Sequence, residues 1–380
     1  MIHTGALSGI QVLDLSRMLP GPYCSMILAD HGARVIAIED GRYRAEGNFV
    51  GNLYRNKQHM TLDLKTPQGK EILFRLVHEA DVFIEGFRPG VVKKLGIDYP
   101  ALKEVNPGLV YCSITGYGQS GGMENTPGHD VNFLSYSGVL DQIGALDGPP
   151  VIPGIQIADM AGGAMNAAIG ILLALFSREK TSQGQYIDIS MTDGSLCLMQ
   201  VVLFFRELFG QTPQRGDGLL SQRYACYNTY ETNDGRYLSL GALEPRFWKP
   251  LCHHLGVAAF VPLQFDPSRQ SKMIHHFQTL FKQMSLAAWE KELAGVDTCW
   301  APVRTLDEAL DDPLFKARDM VIKGEEGTLQ PAIGIPVKLS TTPGALRTPP
   351  VGFGENTREI LRQLNYSDRE IEAFQQGGII

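Results

Sequence analysis

The most constraining feature of this chain is an alternation. Apolar, β-branched runs at residues 10–15, 32–38, 60–64, 81–85 and 109–114 are separated by stretches that include helical spacing at 22–31 and 66–79. Strands that are apolar throughout need cover on both faces. The pattern therefore predicts a parallel, doubly wound α/β sheet. Thr66-Pro67 marks one helix start: the hydroxyl can cap the first turn, and proline lacks an N–H that would go unpaired there.

The middle of the chain differs. Residues 157–180 predict one long helix, closed by Gly184, then a short strand at 186–189 and a second long, mostly apolar helix over 191–209. Pro and Gly at 211–218 suggest a linker, and the connection as a whole is assigned to residues 201–222. Asn233-Asp234-Gly235 between runs at 227–232 and 236–240 predicts a β-hairpin, followed by a helix over 244–255. A small α+β domain is expected over 223–310, after a large α/β region spanning 1–200. Residues 331–348 should cross the surface, ahead of helices at 356–364 and 367–376, the latter capped by Ser367.

Composition excludes several classes. The chain has 380 residues, a net charge of −7 and no run of Lys or Arg, so no nucleic-acid footprint is present. The six cysteines form no C-x-x-C pair and most lie in apolar runs, which fits reduced thiols and a cytoplasmic location. Residues 1–8 lack a signal-peptide pattern. The longest apolar run, 160–176, falls short of the roughly 20 residues of a membrane span and is expected to be a buried core helix.

Gly116-Tyr-Gly-Gln-Ser-Gly121 matches G-x-G-x-x-G after a strand, but Met123-Glu-Asn-Thr-Pro127 follows where a dinucleotide site needs a helix. The pairs His253-His254 and His275-His276 point to different sides of a helix and suit the surface better than a metal. No metal site is signalled.

Three proton-transfer groups stand in Gly-rich, apolar surroundings and are expected to be buried. His129 follows Pro127-Gly128 at a helix start, Asp159 opens the long helix ahead of Gly162-Gly163, and Glu244 precedes Pro245 at another helix start. Each also has an ordinary reading as a helix-start residue. The glycine pair costs about 1 kcal/mol per residue relative to Ala, which implies close approach of a ligand or another backbone. Arg88, in Gly86-Phe-Arg-Pro-Gly90, is either a plain loop charge or an anion clamp.

Several segments together resemble the family III CoA-transferase (CaiB/BaiF-like) superfamily: Leu7-Ser-Gly-Ile-Gln-Val-Leu-Asp-Leu15, Leu62-Asp-Leu-Lys-Thr-Pro-Gln-Gly69, Asp81-Val-Phe-Ile-Glu-Gly-Phe-Arg-Pro-Gly90, Ser113-Ile-Thr-Gly-Tyr-Gly118 and Gly184-Gln-Tyr-Ile-Asp188. Within it, Gly128-His-Asp-Val-Asn-Phe133, Asp159-Met-Ala-Gly-Gly163, Asp234-Gly-Arg-Tyr237 and Glu244-Pro245 resemble the α-methylacyl-CoA racemases. The resemblance implies a large domain built from both chain ends, with residues 311–380 completing it. It also implies an interlocked homodimer whose sites lie between the large domain of one subunit and the small domain of the other.

It further implies catalysis by His129, Asp159 and Glu244, with CoA contacts from Arg88, Leu62, Lys65, Ala80, Asp81, Val82, Gly128, Asp130 and Phe133. No cofactor is called for, since CoA is part of the substrate. Two departures stand out. Ala37 occupies a second-strand position that is often basic in the family, so phosphate contacts would fall to Arg34, Arg42, Lys57 or Arg88. Ser221-Gln-Arg-Tyr224 departs from a small-residue pattern. The implied reaction is epimerisation of a 2-methyl-branched acyl-CoA through an enolate. The alternatives are CoA transfer with Asp159 as nucleophile, and CoA binding without catalysis. The acyl chain is left open.

Overall fold

The computed structural model describes residues 5–322 and 331–380. The first half of the signal-peptide reading at residues 1–8 therefore lies outside the described residues. So does the 323–330 part of the return segment.

Six parallel strands form one sheet: β1 (Gln11–Asp14), β2 (Arg34–Glu39), β3 (Lys57–Thr61), β4 (Val82–Glu85), β5 (Val110–Thr115) and β6 (Tyr186–Ser190). Their order is β3-β2-β1-β4-β5-β6. Strand order reverses between β1 and β4, whose register pairs Asp14 with Ile84. Such a reversal opens a crevice beyond the carboxyl ends of the strands, where ligands of open α/β sheets bind.

Both faces of the sheet are covered. On one, Leu13, Ile36, Met60, Phe83 and Tyr111 pack with Ile72, Leu73, Leu76 and Val77 of the Pro67–His78 helix. Thr66 accepts the Gly69 N–H at 3.0 Å, as its cap position requires. On the other, the Pro20–Asp30 helix covers β1 and β2, with Met26 against Ala37. The chain's end closes the first face: Ile360, Leu361 and Ile371 join the same core, and Asn356 Oδ1 accepts the His59 N–H at 3.0 Å.

The expected single helix at 157–180 is two kinds of helix in series, a π-helix over Ala158–Met165 and an α-helix over Asn166–Thr181. The glycine pair explains the first part. A Cβ on Gly162 would come within 2.6 Å of the Met191 carbonyl oxygen, and one on Gly163 within 2.8 Å of Met191 Cγ. The close approach is thus to another backbone. Asn166 Nδ2 donates to the Ala161 and Gly162 carbonyls at 3.1 and 3.0 Å, satisfying oxygens that the wider helix frees.

The helix over Ala158–Thr181 is long and apolar enough to cross a membrane by length and composition, which corrects the shorter run read from sequence. It is not a wholly buried core helix either. Ala167, Ala168, Ile171, Ala174 and Leu175 are buried, while Ile169, Leu172, Leu173 and Phe176 are exposed. The second predicted helix breaks at residues 198–199 into Met191–Cys197 and Gln200–Phe209, where i→i+3 bonds from Leu198 and Met199 tighten the turn.

The chain divides into two compact units: residues 1–139, 153–199 and 316–380 in one, residues 140–152 and 200–315 in the other. The smaller unit holds an antiparallel sheet of β7 (Tyr227–Glu231), β8 (Tyr237–Gly241) and β9 (Trp300–Pro302), in that order. Its core contains Tyr230, Trp248, Phe277, Phe281 and Trp289. The stretch expected as a linker, 201–222, opens with most of the Gln200–Phe209 helix.

Candidate active site

Two helix starts in the larger unit bring His129 and Asp159 under each other's influence. His129 caps the Asp130–Tyr136 helix in extended backbone, and its N–H donates to Asn132 Oδ1 at 3.0 Å. Phe133, one turn on, is buried and locks this turn. Its ring fills the space in front of Gly116 and Gly128, where a Cβ would come within 2.4 and 2.7 Å. Tyr117 meets the same ring edge-on at 5.2 Å. Of the G-x-G-x-x-G glycines, Gly116 thus serves packing while Gly118 and Gly121 hold turns at positive φ, and no helix opens between residues 116 and 129.

Asp159 is the second residue of the π-helix and half-buried. Its N–H donates to Asp130 Oδ1 at 2.9 Å. Burial raises the Asp159 carboxyl to about 6, the nearby Asp130 charge pushes the same way, and His129 opposes them. A carboxyl poised near neutrality can both give and take a proton.

The expectation that all three acid–base groups are buried fails for two of them. His129 and Glu244 are exposed. Glu244 precedes the Pro245–His254 helix in the smaller unit. Each is the N-cap residue of its helix, in extended backbone.

Sequence reading missed Glu85, the last residue of β4 beside the β1/β4 reversal. It is fully buried. The Ser113 hydroxyl donates to one carboxyl oxygen and the Phe87 N–H to the other, at 2.7 Å. Tyr186 OH donates to Ser113 Oγ at 3.1 Å, extending the chain of bonds. Burial raises the Glu85 carboxyl to about 7 against those two donors, and the Asp188 charge adds to the rise. An acid closing an apolar strand was the available signal.

The folded state therefore holds this proton more tightly than the unfolded chain. Its contribution to stability is complete below the unfolded value near 4.5 and is lost as pH rises through about 7. That loss is worth roughly 3 kcal/mol. Urea unfolding at pH 5 and pH 8 should show the fall, and Glu85→Gln should flatten it; an equal fall in the variant assigns it to other groups.

The residues assigned to CoA separate into two sets. Gly128, Asp130 and Phe133 belong to the His129 turn. Arg88 is exposed in the loop after β4, with no side-chain partner among the described residues. Lys65 and Arg42 flank Asp40 at 3.5 and 3.2 Å, beyond the carboxyl ends of β3 and β2. Leu62 is buried in the core.

Ala80, Asp81 and Val82 lie at the opposite, amino edge of the sheet, because residue 82 begins β4. Ala80 and Val82 are buried, and Asp81 accepts from the Gln11 N–H at 2.7 Å and from Arg178 at 2.8 Å. The structure does not bring these three to the His129–Asp159 turns. Two candidate phosphate ligands also fall away. Arg34 starts β2 at that amino edge and bonds Gln58, Gln11 and Gln363. Lys57 has a wholly buried side chain and donates to the Pro22 carbonyl at 2.8 Å and to Ser25 at 2.7 Å. Among the described residues, no group of three or more His, Cys, Asp or Glu side chains could hold a metal ion.

The model of CoA-transferase family III matches residues 7–357. The chain is 37% identical to the human alpha-methylacyl-CoA racemase, over 99% of this chain and 97% of that one. It is 31% identical to the succinyl-CoA–D-citramalate CoA-transferase of Chloroflexus aurantiacus, over 94% of each. A CAIB/BAIF family protein from Brucella suis superposes with a TM-score of 0.84 at 29% identity, covering 95% of this chain and all of that one. Sequence and fold agree throughout, and the chain belongs to CoA-transferase family III.

Proposed function

We propose that this enzyme epimerises 2-methyl-branched acyl-CoA thioesters by removing and returning the α-proton. The observation that carries the reading is the half-buried Asp159 carboxyl, raised to about 6 by burial, on a backbone whose N–H is bonded to Asp130 in the turn that bears His129. The thioester carbonyl acidifies the α-proton by delocalising charge onto oxygen as an enolate. Inversion requires one group on each face of the planar intermediate. His129 serves one face and Asp159 the other, so that one removes the proton while the other returns it.

The enolate oxygen needs preorganised donors. The Asp159 N–H is engaged by Asp130, which leaves the first-turn N–H groups of Asp130 and Val131 for that task. Arg88, Arg42 and Lys65 are the cations proposed for the CoA phosphates. Glu244 is proposed to support His129 from the small unit of a second, interlocked subunit. Exposed Ile169, Leu172, Leu173 and Phe176, with Val201, Phe204 and Leu208, offer apolar surface for such a homodimer. The mechanism asks for no cofactor beyond the CoA of the substrate. Unpaired cysteines, most of them buried, support a cytoplasmic setting.

A second reading is CoA transfer between carboxylic acids, with Asp159 as nucleophile. It is favoured by the full-length similarity to a transferase. A carboxyl near 6 is mostly ionised at neutral pH and able to attack a thioester, so the fate of the α-proton is what separates the two readings.

The test is NMR in D₂O on one epimer of a 2-methylacyl-CoA with succinate present. Deuterium entering the α-position with loss of stereochemical purity is the expected result. CoA moving to succinate with the α-proton retained establishes the transferase instead. Neither event across a panel of acyl-CoAs leaves a binding role.

A further inference from the structure

We propose that Asp130 is a positioning residue for Asp159: its carboxylate ties the start of the Ala158–Met165 segment to the start of the Asp130–Tyr136 helix, fixing the acid–base groups of both turns relative to one another. The proposal rests on the assignment of proton transfer to His129 and Asp159.

The geometry is specific. The bond from the Asp159 N–H to Asp130 Oδ1, 2.9 Å, joins positions 29 residues apart. Because the donor is main chain, the bond fixes the Asp159 peptide and leaves its carboxyl free to work. On the other side, Asp130 is covalently next to His129, whose own N–H is held by Asn132. The Asp130 carboxylate therefore anchors the Asp159 backbone to a turn whose preceding residue, His129, is fixed by Asn132. The π-helix makes such an anchor useful. Its first-turn N–H groups lack intrahelical partners, and an acid at that position satisfies one of them.

Among the described residues, no Lys or Arg side chain pairs with Asp130. The Asp159 segment packs against the Pro20–Asp30 helix, the Asp130–Tyr136 helix, β5, β6, the Met191–Cys197 helix and the Asn166–Thr181 helix that continues it. Of their titratable groups, only Asp130 and His129 act on Asp159. Tyr23, Cys24 and Asp30 on the first helix do not, nor do Tyr136 on the second, Tyr111 and Cys112 on β5, Tyr186 and Asp188 on β6, Asp193 and Cys197 on the Met191–Cys197 helix, or Arg178, Glu179 and Lys180 on the Asn166–Thr181 helix. Asp130 pushes the Asp159 carboxyl upward and so favours the protonated, donating form.

Asp130→Asn keeps an acceptor oxygen and removes the charge, whereas Asp130→Ala removes both. The Asp159 carboxyl can be titrated by ¹³C NMR in substrate-free protein, its signal assigned by its absence in Asp159→Asn. In Asp130→Asn the midpoint should move to lower pH than in the wild type, and the limb of the pH–rate profile governed by Asp159 should move with it. In Asp130→Ala, kcat for α-proton exchange should fall at least tenfold. An unmoved midpoint in Asp130→Asn, or an unchanged kcat in Asp130→Ala, overturns the proposal. Absence of α-proton exchange in the wild type would instead be a failure of the epimerase reading. The titration, which uses no substrate, would then decide the role of Asp130 alone.

Discussion

Asp159→Ala and His129→Ala should each abolish epimerisation, with losses of about 10²–10⁴-fold, the range general acid–base groups supply. The two-face arrangement makes a sharper expectation. With Asp159 gone, His129 can still remove and return a proton on its own face. One epimer should therefore exchange its α-proton for deuterium slowly and with retention, while the other exchanges none. His129→Ala should show the mirror behaviour. Proton NMR with chiral analysis of recovered acyl-CoA reads both quantities. Racemisation near the wild-type rate in either variant would remove that residue from the mechanism. Glu244→Gln should slow turnover more modestly, since its proposed role is to support His129 and not to touch the α-carbon. The circular dichroism of each variant should match the wild type, because His129 is exposed and Asp159 makes its bond to Asp130 through its main chain.

What the sequence revealed follows from which interactions are local. Strands β1, β2, β4 and β5 were visible because each has an apolar middle, and the Thr66 cap because its residues adjoin in sequence. His129 and Asp159 stood out for the same reason, each beside glycines that had to have a cause. The strand expected at 60–64 lies instead at Lys57–Thr61, because its first three residues are polar and only pairing with β2 makes them a strand. The burial of Glu85 was not visible, since it is imposed by Ser113 across β5 and by the β1/β4 reversal. Nor was the direction of Ala80, Asp81 and Val82, which depends on strand polarity: residue 81 precedes β4 and residue 86 follows it, so a few positions separate the two edges of the sheet. The π-helix is a response to Met191 and Gly194, distant in sequence, and periodicity carries no trace of it. The break at residues 198–199 has no Gly or Pro to announce it.

The largest loss of stability should come from Arg55→Ala, at about 3–5 kcal/mol, the cost of leaving one member of a buried pair behind. Arg55 and Asp30 have side chains 5% and 3% exposed and meet at 2.6 Å. Arg55 Nη1 also donates to the Ile333 carbonyl at 2.6 Å, and Asn56 Nδ2 bridges Asp30 at 2.8 Å and the Ala345 carbonyl at 2.9 Å. The Arg347 and Thr348 N–H groups return to Asn56 Oδ1. The pair thus fastens the returning chain to the carboxyl end of the Pro20–Asp30 helix, whose other end touches Gly163 behind Asp159. Without Arg55, Asp30 keeps a charge in a dry site with a single side-chain donor, Asn56. Adding Asp30→Asn to Arg55→Ala should recover part of the loss, because the stranded charge goes with it. Urea unfolding of the single and double variants measures both effects, and proteolysis near residues 331–348 should quicken in the single variant first. A loss under about 1 kcal/mol for Arg55→Ala would mean that water reaches Asp30 and that the return segment is held by its hydrogen bonds alone.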